Sequence, residues 1–303
     1  MDGVRRPRPR GCAETPIIRL TVYRVASFTK NPAEGNPAGV VLGAGDLGDA
    51  GFRRVATLAD ATETAFLDRI DPERWRVRYF APACEVDFCG HATLAAVGTL
   101  ARASMLPGLG TTFETKVGDV RVFRDTGRHE VGWMIQRPPE FADVAATDAE
   151  LAAAVGIAVD DVGREIRPVL ATTGLWTLLL PVVSLDALTR ARSAESLPAL
   201  GARLGAGSVH LFTFETGDPL ADVRARNFAF GYGIPEDPVT GSANGALGAY
   251  LHRLGRGRPQ ITVSQGTEVG RPGRALVVVE SGQVIVGGPT AAIETREIEV
   301  DPG

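Results

Sequence analysis

Two short stretches of this chain carry the same arrangement of groups that could do chemistry. Glu85-Val86-Asp87-Phe88-Cys89-Gly90-His91-Ala92 recurs 151 residues later as Glu236-Asp237-Pro238-Val239-Thr240-Gly241-Ser242-Ala243. In each, a Glu stands five residues before a Gly, a polar residue follows the Gly, and small apolar residues then run on at helical spacing. This is the pattern of a loop that opens a helix. The first turn of a helix has unpaired backbone N–H groups and a partial positive charge, so it suits an anion. Two such turns suggest a carboxylate-bearing ligand gripped between related halves. A further acid, Glu63, stands in Ala61-Thr62-Glu63-Thr64-Ala65-Phe66 at the start of an expected buried strand. Lost solvation there would raise its pKa toward neutrality and make it a usable general base and acid. An acid in a strand more often faces solvent, and spacing alone leaves both readings open.

The elements that must position these groups are mostly strands. Ile17 to Val25 alternates as a strand does, Asn36-Pro37-Ala38-Gly39 turns the chain, and Val40 to Leu42 is a short apolar strand. Leu47 to Leu58 has helical spacing; Thr62 to Leu67 and Trp75 to Phe80 are strand-like. His91 to Ala103 is expected as the first central helix. A hairpin follows around Val117-Gly118-Asp119, then a strand at Val131 to Ile135. Thr147-Asp148-Ala149-Glu150 predicts a capping box and a short helix ending at Gly156. Strands expected at 167–171, 177–183, 209–215 and 223–230 lead to the second central helix, Ser242 to Leu254, and three further strands lie around Val263, Val277 and Ile285. Gly245, Ala246, Gly248 and Ala249 permit close approach by a sheet curled around that helix. Long stretches of strand without intervening helix argue against a doubly wound parallel sheet.

Composition narrows the partners. The chain has 303 residues, 44% of them hydrophobic and 22% charged, with a net charge of -4, as in an ordinary globular protein long enough for two domains. No broad basic surface is available for nucleic acid. Three cysteines, Cys12, Cys84 and Cys89, and four histidines show no metal-ligand spacing, so a metal-free, cytoplasmic protein is expected. Residues 1–16 place Arg5, Arg6, Arg8 and Arg10 among prolines without an apolar segment; a disordered leader is expected, with no secretory signal or membrane anchor. The stretch from Gly35 to Gly43 lacks the strand and helix context of a nucleotide loop.

Several segments, in order, resemble the PhzF-like family of phenazine biosynthesis-like isomerases, which has the diaminopimelate epimerase-like fold. They are Phe28-Thr29, Gly35-Asn36-Pro37-Ala38-Gly39-Val40-Val41-Leu42, Glu63-Thr64-Ala65-Phe66-Leu67, Arg78-Tyr79-Phe80-Ala81-Pro82, Glu85 to Ala95 and Gly233 to Ala243. Gln265-Gly266 with Gly270-Arg271-Pro272 adds a weaker match. The resemblance implies an α+β fold of two similar domains, each a curled, barrel-like, mostly antiparallel sheet around a central helix, with the active site in the cleft between them. The domains expected are 17–128 plus about 289–303, and 129–288. It further implies a homodimer and a cofactor-independent proton shift. Glu63 is the matching mobile acid and base, His91, Asp237 and Ser242 are the matching auxiliary groups, and the amides of Gly90-His91 and Gly241-Ser242 are the ligand seats.

Each role has a plainer rival. His91 is expected as a neutral imidazole, or as a mere polar residue at the helix start. Asp237 could orient His91 or polarise a substrate amine, or close an Asx-type turn before Pro238. Ser242 is a good N-cap type. Glu85 and Glu236 read as structural acids for which Arg78 and Arg226 are candidate partners. Cys89 occupies the first of two thiol places used by racemising relatives of this fold, but its mate in the repeat is Thr240. A hydroxyl of ordinary acidity cannot replace a thiolate as base. The expected activity is therefore an isomerase moving a proton between carbons of a small carboxylic acid, a cyclic amino acid or dihydroaromatic acid of secondary metabolism. An amino-acid racemase or epimerase and a non-catalytic ligand-binding module are the alternatives.

Overall fold

The computed structural model describes residues 17–108, 110–125, 127 and 130–300; the expected leader and the expected domain crossing at residue 128 lie outside these. Alternation decides the first strand, Ile18–Ser27, which buries Leu20 and Val22 and ends in the buried run Val25, Ala26, Ser27. It pairs antiparallel with Asn36–Leu42 on one side and with the long strand Gln283–Val300 on the other. From Asn36–Leu42 the sheet continues through Thr64–Asp71, Arg74–Phe80, Thr111–Thr115, Gly118–Arg124 and Val131–Ile135. Val131–Ile135 then pairs with Gln283–Val300, which closes a ring of strands. The helix Gly90–Arg102 packs inside against several of them, and its small residues leave room for Leu94, Val97 and Leu100 to fill the core.

A second curled sheet leaves the same long strand and runs through Gly273–Glu280, Gln260–Gln265, Val223–Ala229, Ser208–Thr213, Thr177–Pro181, Val169–Thr172 and Glu140–Ala142. It wraps the helix Gly241–Arg253. Glycines make this approach possible: a Cβ at Gly248 would lie 2.5 Å from Val277 Cγ1, and one at Gly245 would lie 1.9 Å from Gln136 Oε1. Pairings are mostly antiparallel, and among the described residues all the strands link into one continuous sheet. The apolar core runs unbroken from one central helix to the other.

The capping box is present, with Thr147 and Glu150 bonded reciprocally at the start of Asp148–Ala154. Two further helices, Leu185–Arg190 and Leu197–Leu204, stand where the sequence reading has only a link between strands. They are too short for their periodicity to stand out, and they gain stability by packing with Asp148–Ala154 as an outer apolar layer. The loops expected before both central helices contain short strands, Glu85–Val86 and Ile234–Asp237. Each central helix starts one residue earlier than expected, with Cys89 and Thr240 at the N-cap positions and no side-chain cap bond at either. Ser242 is therefore not the N-cap; it stands in the first turn, beside Gly241. No helix of the described residues is long and apolar enough to cross a membrane.

Candidate active site

The two central helices meet at their N-termini. A Cβ on Gly90 would lie only 3.8 Å from Gly241 Cα and 3.1 Å from Met134 Cε, so the glycines let the two first turns abut. Their amides, unpaired within the helices, thus serve one common place. Glu63 precedes the strand Thr64–Asp71 and is fixed by its backbone, which accepts from Gly39 N at 2.9 Å. Its side chain is 12% exposed, and Oε2 lies 3.1 Å from His91 Nε2. No aligned hydrogen bond reaches that oxygen, although it is fully covered. The His91 ring also meets Thr62 Oγ1 at 3.3 Å and Cys89 Sγ at 3.4 Å, and its carbonyl accepts from Ser27 Oγ at 2.7 Å.

This contact changes the expected electrostatics. Burial alone would raise the Glu63 carboxyl, but His91 outweighs it and holds the carboxyl below its ordinary value. For His91, burial pulls down, while the contacts with Cys89 and Glu63 raise it well above its ordinary value. Burial pushes the Cys89 thiol up, the Glu63 charge adds to this and His91 opposes it. The structure thus corrects two expectations: Glu63 is not raised toward neutrality, and His91 is not neutral. They form an ion pair, because a nearby opposite charge outweighs desolvation for both partners.

Asp237 is raised by burial, an effect that the His91 charge and the Thr240 hydroxyl oppose and the Glu63 charge reinforces. Its carboxylate accepts from Asn36 Nδ2 at 2.7 Å and from Thr240 Oγ1 at 2.5 Å. The structure places it within electrostatic reach of His91 without a hydrogen bond to it. Gln265, buried behind the loop, donates to Asp237 O at 2.9 Å and Thr240 Oγ1 at 3.1 Å, and accepts from Thr240 N and Asn244 Nδ2. Asn244 in turn meets His210, whose burial pushes its imidazole down to about 4. Ser242 offers its carbonyl to Thr173 Oγ1 at 3.1 Å, which brings the 171–176 loop beside the second helix start.

Glu85 and Glu236 serve the frame, as expected. Arg78 Nε reaches Glu85 at 2.8 Å, and Arg226 grips Glu236 through Nε and Nη2, both at 2.8 Å. Sequence reasoning gave no site role to Asn36, Thr62 or Gln265, because their partners are up to 201 residues away. It also found no metal-ligand spacing, whereas the fold gathers ligand atoms of Glu63, Cys89 and His91 within 4.8 Å of one another. A cavity of about 710 Å³ opens elsewhere, between residues 28–34 and 260–276. It includes none of Glu63, His91, Asp237 and Ser242; Lys30 pairs with Glu130, Arg224 with Glu268 and Arg274 with Asp218, and Glu34 accepts from Thr29 Oγ1 at 3.2 Å. The chemistry-bearing groups are at the meeting of the helices, not there.

Two sheet-wrapped helices meeting at their N-termini are the architecture of the diaminopimelate epimerase-like fold. Within that class the resemblance noted in the motifs extends along nearly the whole chain. The chain belongs to the PhzC-PhzF family of phenazine biosynthesis-like proteins, whose model matches residues 25–296. A Bacillus subtilis protein named as an uncharacterized isomerase, YfhB, is 34% identical over 289 residues, 92% of this chain and 98% of that one. A Deinococcus radiodurans protein, also named as an uncharacterized isomerase, is 41% identical over 278 residues, 86% of this chain and 87% of the relative. The crystal structure of a Bacillus anthracis phenazine biosynthesis protein of the PhzF family superposes with a TM-score of 0.84 at 31% identity, covering 93% of this chain and 100% of that one.

Proposed function

We propose that the protein is an isomerase in which Glu63 carries a proton from one carbon of a small carboxylic acid to another, without a cofactor. The observation that carries this reading is the Glu63 carboxylate: ionised by His91, almost dry, and with Oε2 lacking an aligned hydrogen bond. Its charged partner, His91, keeps it ionised without an aligned hydrogen bond to Oε2, which leaves a lone pair there for a carbon-bound proton. The abutting first turns at Gly90-His91 and Gly241-Ser242 bind the substrate carboxylate and stabilise the enolate-like charge that develops on proton removal. Imidazolium His91 keeps Glu63 ionised and, when Glu63 takes the proton, turns toward the new charge on the substrate. Asp237, fixed by Asn36 and Thr240, balances that cation, and Ser242 orients the ligand.

The relatives named as isomerases support the reaction class. The family's description, phenazine biosynthesis-like, is in keeping with a cyclic amino acid or dihydroaromatic acid of secondary metabolism as substrate; action in the cytoplasm as a homodimer belongs to the same proposal. The division at residues 128 and about 289 into two domains belongs to the same proposal, as does selection of the substrate by the 171–176 loop beside Ser242. Racemisation by two opposed bases is the weaker reading. Burial raises the Cys89 thiol and so disfavours its thiolate, and its mate Thr240 has its hydroxyl committed to Asp237.

Incubating candidate acids with the enzyme in deuterated water tests the reaction. A displaced double bond is expected, with deuterium at the new carbon to the extent that protonated Glu63 exchanges with solvent before returning its proton; exchange with inversion at a single carbon would favour an epimerase. The Glu63→Gln variant should lose about 10²-fold or more of the exchange rate. Wild-type exchange in that variant would remove Glu63 from the chemistry and leave a ligand-binding module as the better description.

A further inference from the structure

The proton transfer uses Glu63 and His91 but gives the Cys89 thiol no task. All three side chains nevertheless converge on one point. His91 Nε2 lies 3.1 Å from Glu63 Oε2 and 3.7 Å from Cys89 Sγ. The usual bonds of a tetrahedral zinc ion, about 2.0–2.2 Å to N or O and 2.3 Å to S, set ligand separations of roughly 3.2–3.5 Å. Those two separations bracket this range, and the third pair, Glu63 with Cys89, lies within 4.8 Å, so side-chain rotation must draw it in for all three to reach one ion. A thiol, an imidazole and one carboxylate form a borderline-soft donor set that favours Zn²⁺ over Mg²⁺ or Ca²⁺. Three protein ligands leave a fourth position, and the covered surroundings exclude most competing water.

We propose that Glu63, Cys89 and His91 form a reversible binding site for a thiophilic divalent cation, best matched by Zn²⁺, and that the bound ion inhibits the enzyme. On binding, the thiol proton and the imidazolium proton pass to solvent. The thiolate sulfur, His91 Nε2 and Glu63 Oε2 each give a lone pair to the metal, with no redox change. The lone pair that would accept the substrate proton is then engaged. The inhibitory half of this inference rests on Glu63 as the base; the binding half does not.

The test begins without substrate, on the full chain carrying Cys12→Ser and Cys84→Ser so that one thiol remains. Titration with Co²⁺ should give one ion per chain and a thiolate-to-cobalt charge-transfer band, both displaced by Zn²⁺ and unaffected by Mg²⁺. Cys89→Ala and Cys89→Ser should each abolish the band and weaken the ion by about tenfold or more. In the exchange assay, Zn²⁺ should inhibit the parent, while the Cys89 variants keep their exchange activity and need about tenfold more Zn²⁺ for the same inhibition. Equal Co²⁺ affinity with and without the Cys89 thiol, absence of the band, activation by Zn²⁺, or identical inhibition of the variants would each overturn the inference. A failed Glu63→Gln exchange test alongside an intact cobalt band would instead overturn the base assignment alone.

Discussion

Glu63 and His91 hold one another in the charged state, and this fixes how the protein should respond to pH. The carboxyl is held below its ordinary value of 4.5, so its ionised form favours folding above that range, and the benefit is lost as pH falls through the lowered value. The imidazole is held well above 6.5, so its charged form persists at neutral pH and its benefit is lost as pH rises through the raised value. The rate of exchange, measured as kcat/KM against pH, should therefore fall below 4.5 on the acid side and fall again above 6.5. His91→Asn should remove the alkaline fall. It should also shift the acid fall upward, because burial is then opposed at Glu63 only by Thr62 and Cys89. An unchanged acid limb in that variant would contradict the ion pair. At this scale the sequence was legible for identities more than for charge states. The repeat exposed His91, Asp237 and Ser242, and the motif match exposed Glu63. The pKa of Glu63 was read in the wrong direction because its immediate neighbours are apolar, whereas the deciding charge comes from a residue 28 positions along the chain.

The central helices show how glycine can be favourable at a position where helix propensity disfavours it. Gly→Ala in an exposed helix stabilises by about 1 kcal/mol. At Gly248 the added methyl would meet Val277 Cγ1 at 2.5 Å, so overpacking governs the outcome. Gly248→Ala should destabilise the protein by about 1–3 kcal/mol, seen as a lower urea midpoint at unchanged slope. A stabilised variant would mean that the sheet can retreat from the helix. The small residues of both helices were readable as a sign of close wrapping, and the capping box at Thr147 was readable in full. The helices Leu185–Arg190 and Leu197–Leu204 were not, because each depends on tertiary packing rather than on a long apolar stripe.

Across the whole molecule, the segments 28–36 and 266–274 are joined mostly through backbone. Gly35 N donates to Pro272 O at 3.0 Å, Arg274 N donates to Phe28 O at 2.8 Å, and Arg271 reaches the carbonyls of Gly35 and Glu34, both at 2.8 Å. Arg271→Ala should cost about 1.5–3 kcal/mol in thermal or urea unfolding and raise KM more than it lowers kcat. Arg271→Lys should not restore either value, since one ammonium cannot reproduce the guanidinium fork. Equal behaviour of the Lys variant and wild type would assign the seam to its other bonds. The twofold plan of sheets around helices was legible from the repeat and from long runs of strand. That one unbroken strand, Gln283–Val300, joins the two sheets was not: the sequence reading has a strand around Ile285 and, from the resemblance, a separate tail from about 289 returning to the first domain. This 18-residue strand pairs over residues 283–287 with Gly273–Glu280, over 285–289 with Val131–Ile135, and over 290–300 with Ile18–Ser27. It behaves as a torsion bar: any rocking of one sheet against the other must twist hydrogen-bonded β-structure, so widening of the cleft meets an elastic restoring force rather than swinging on a slack joint.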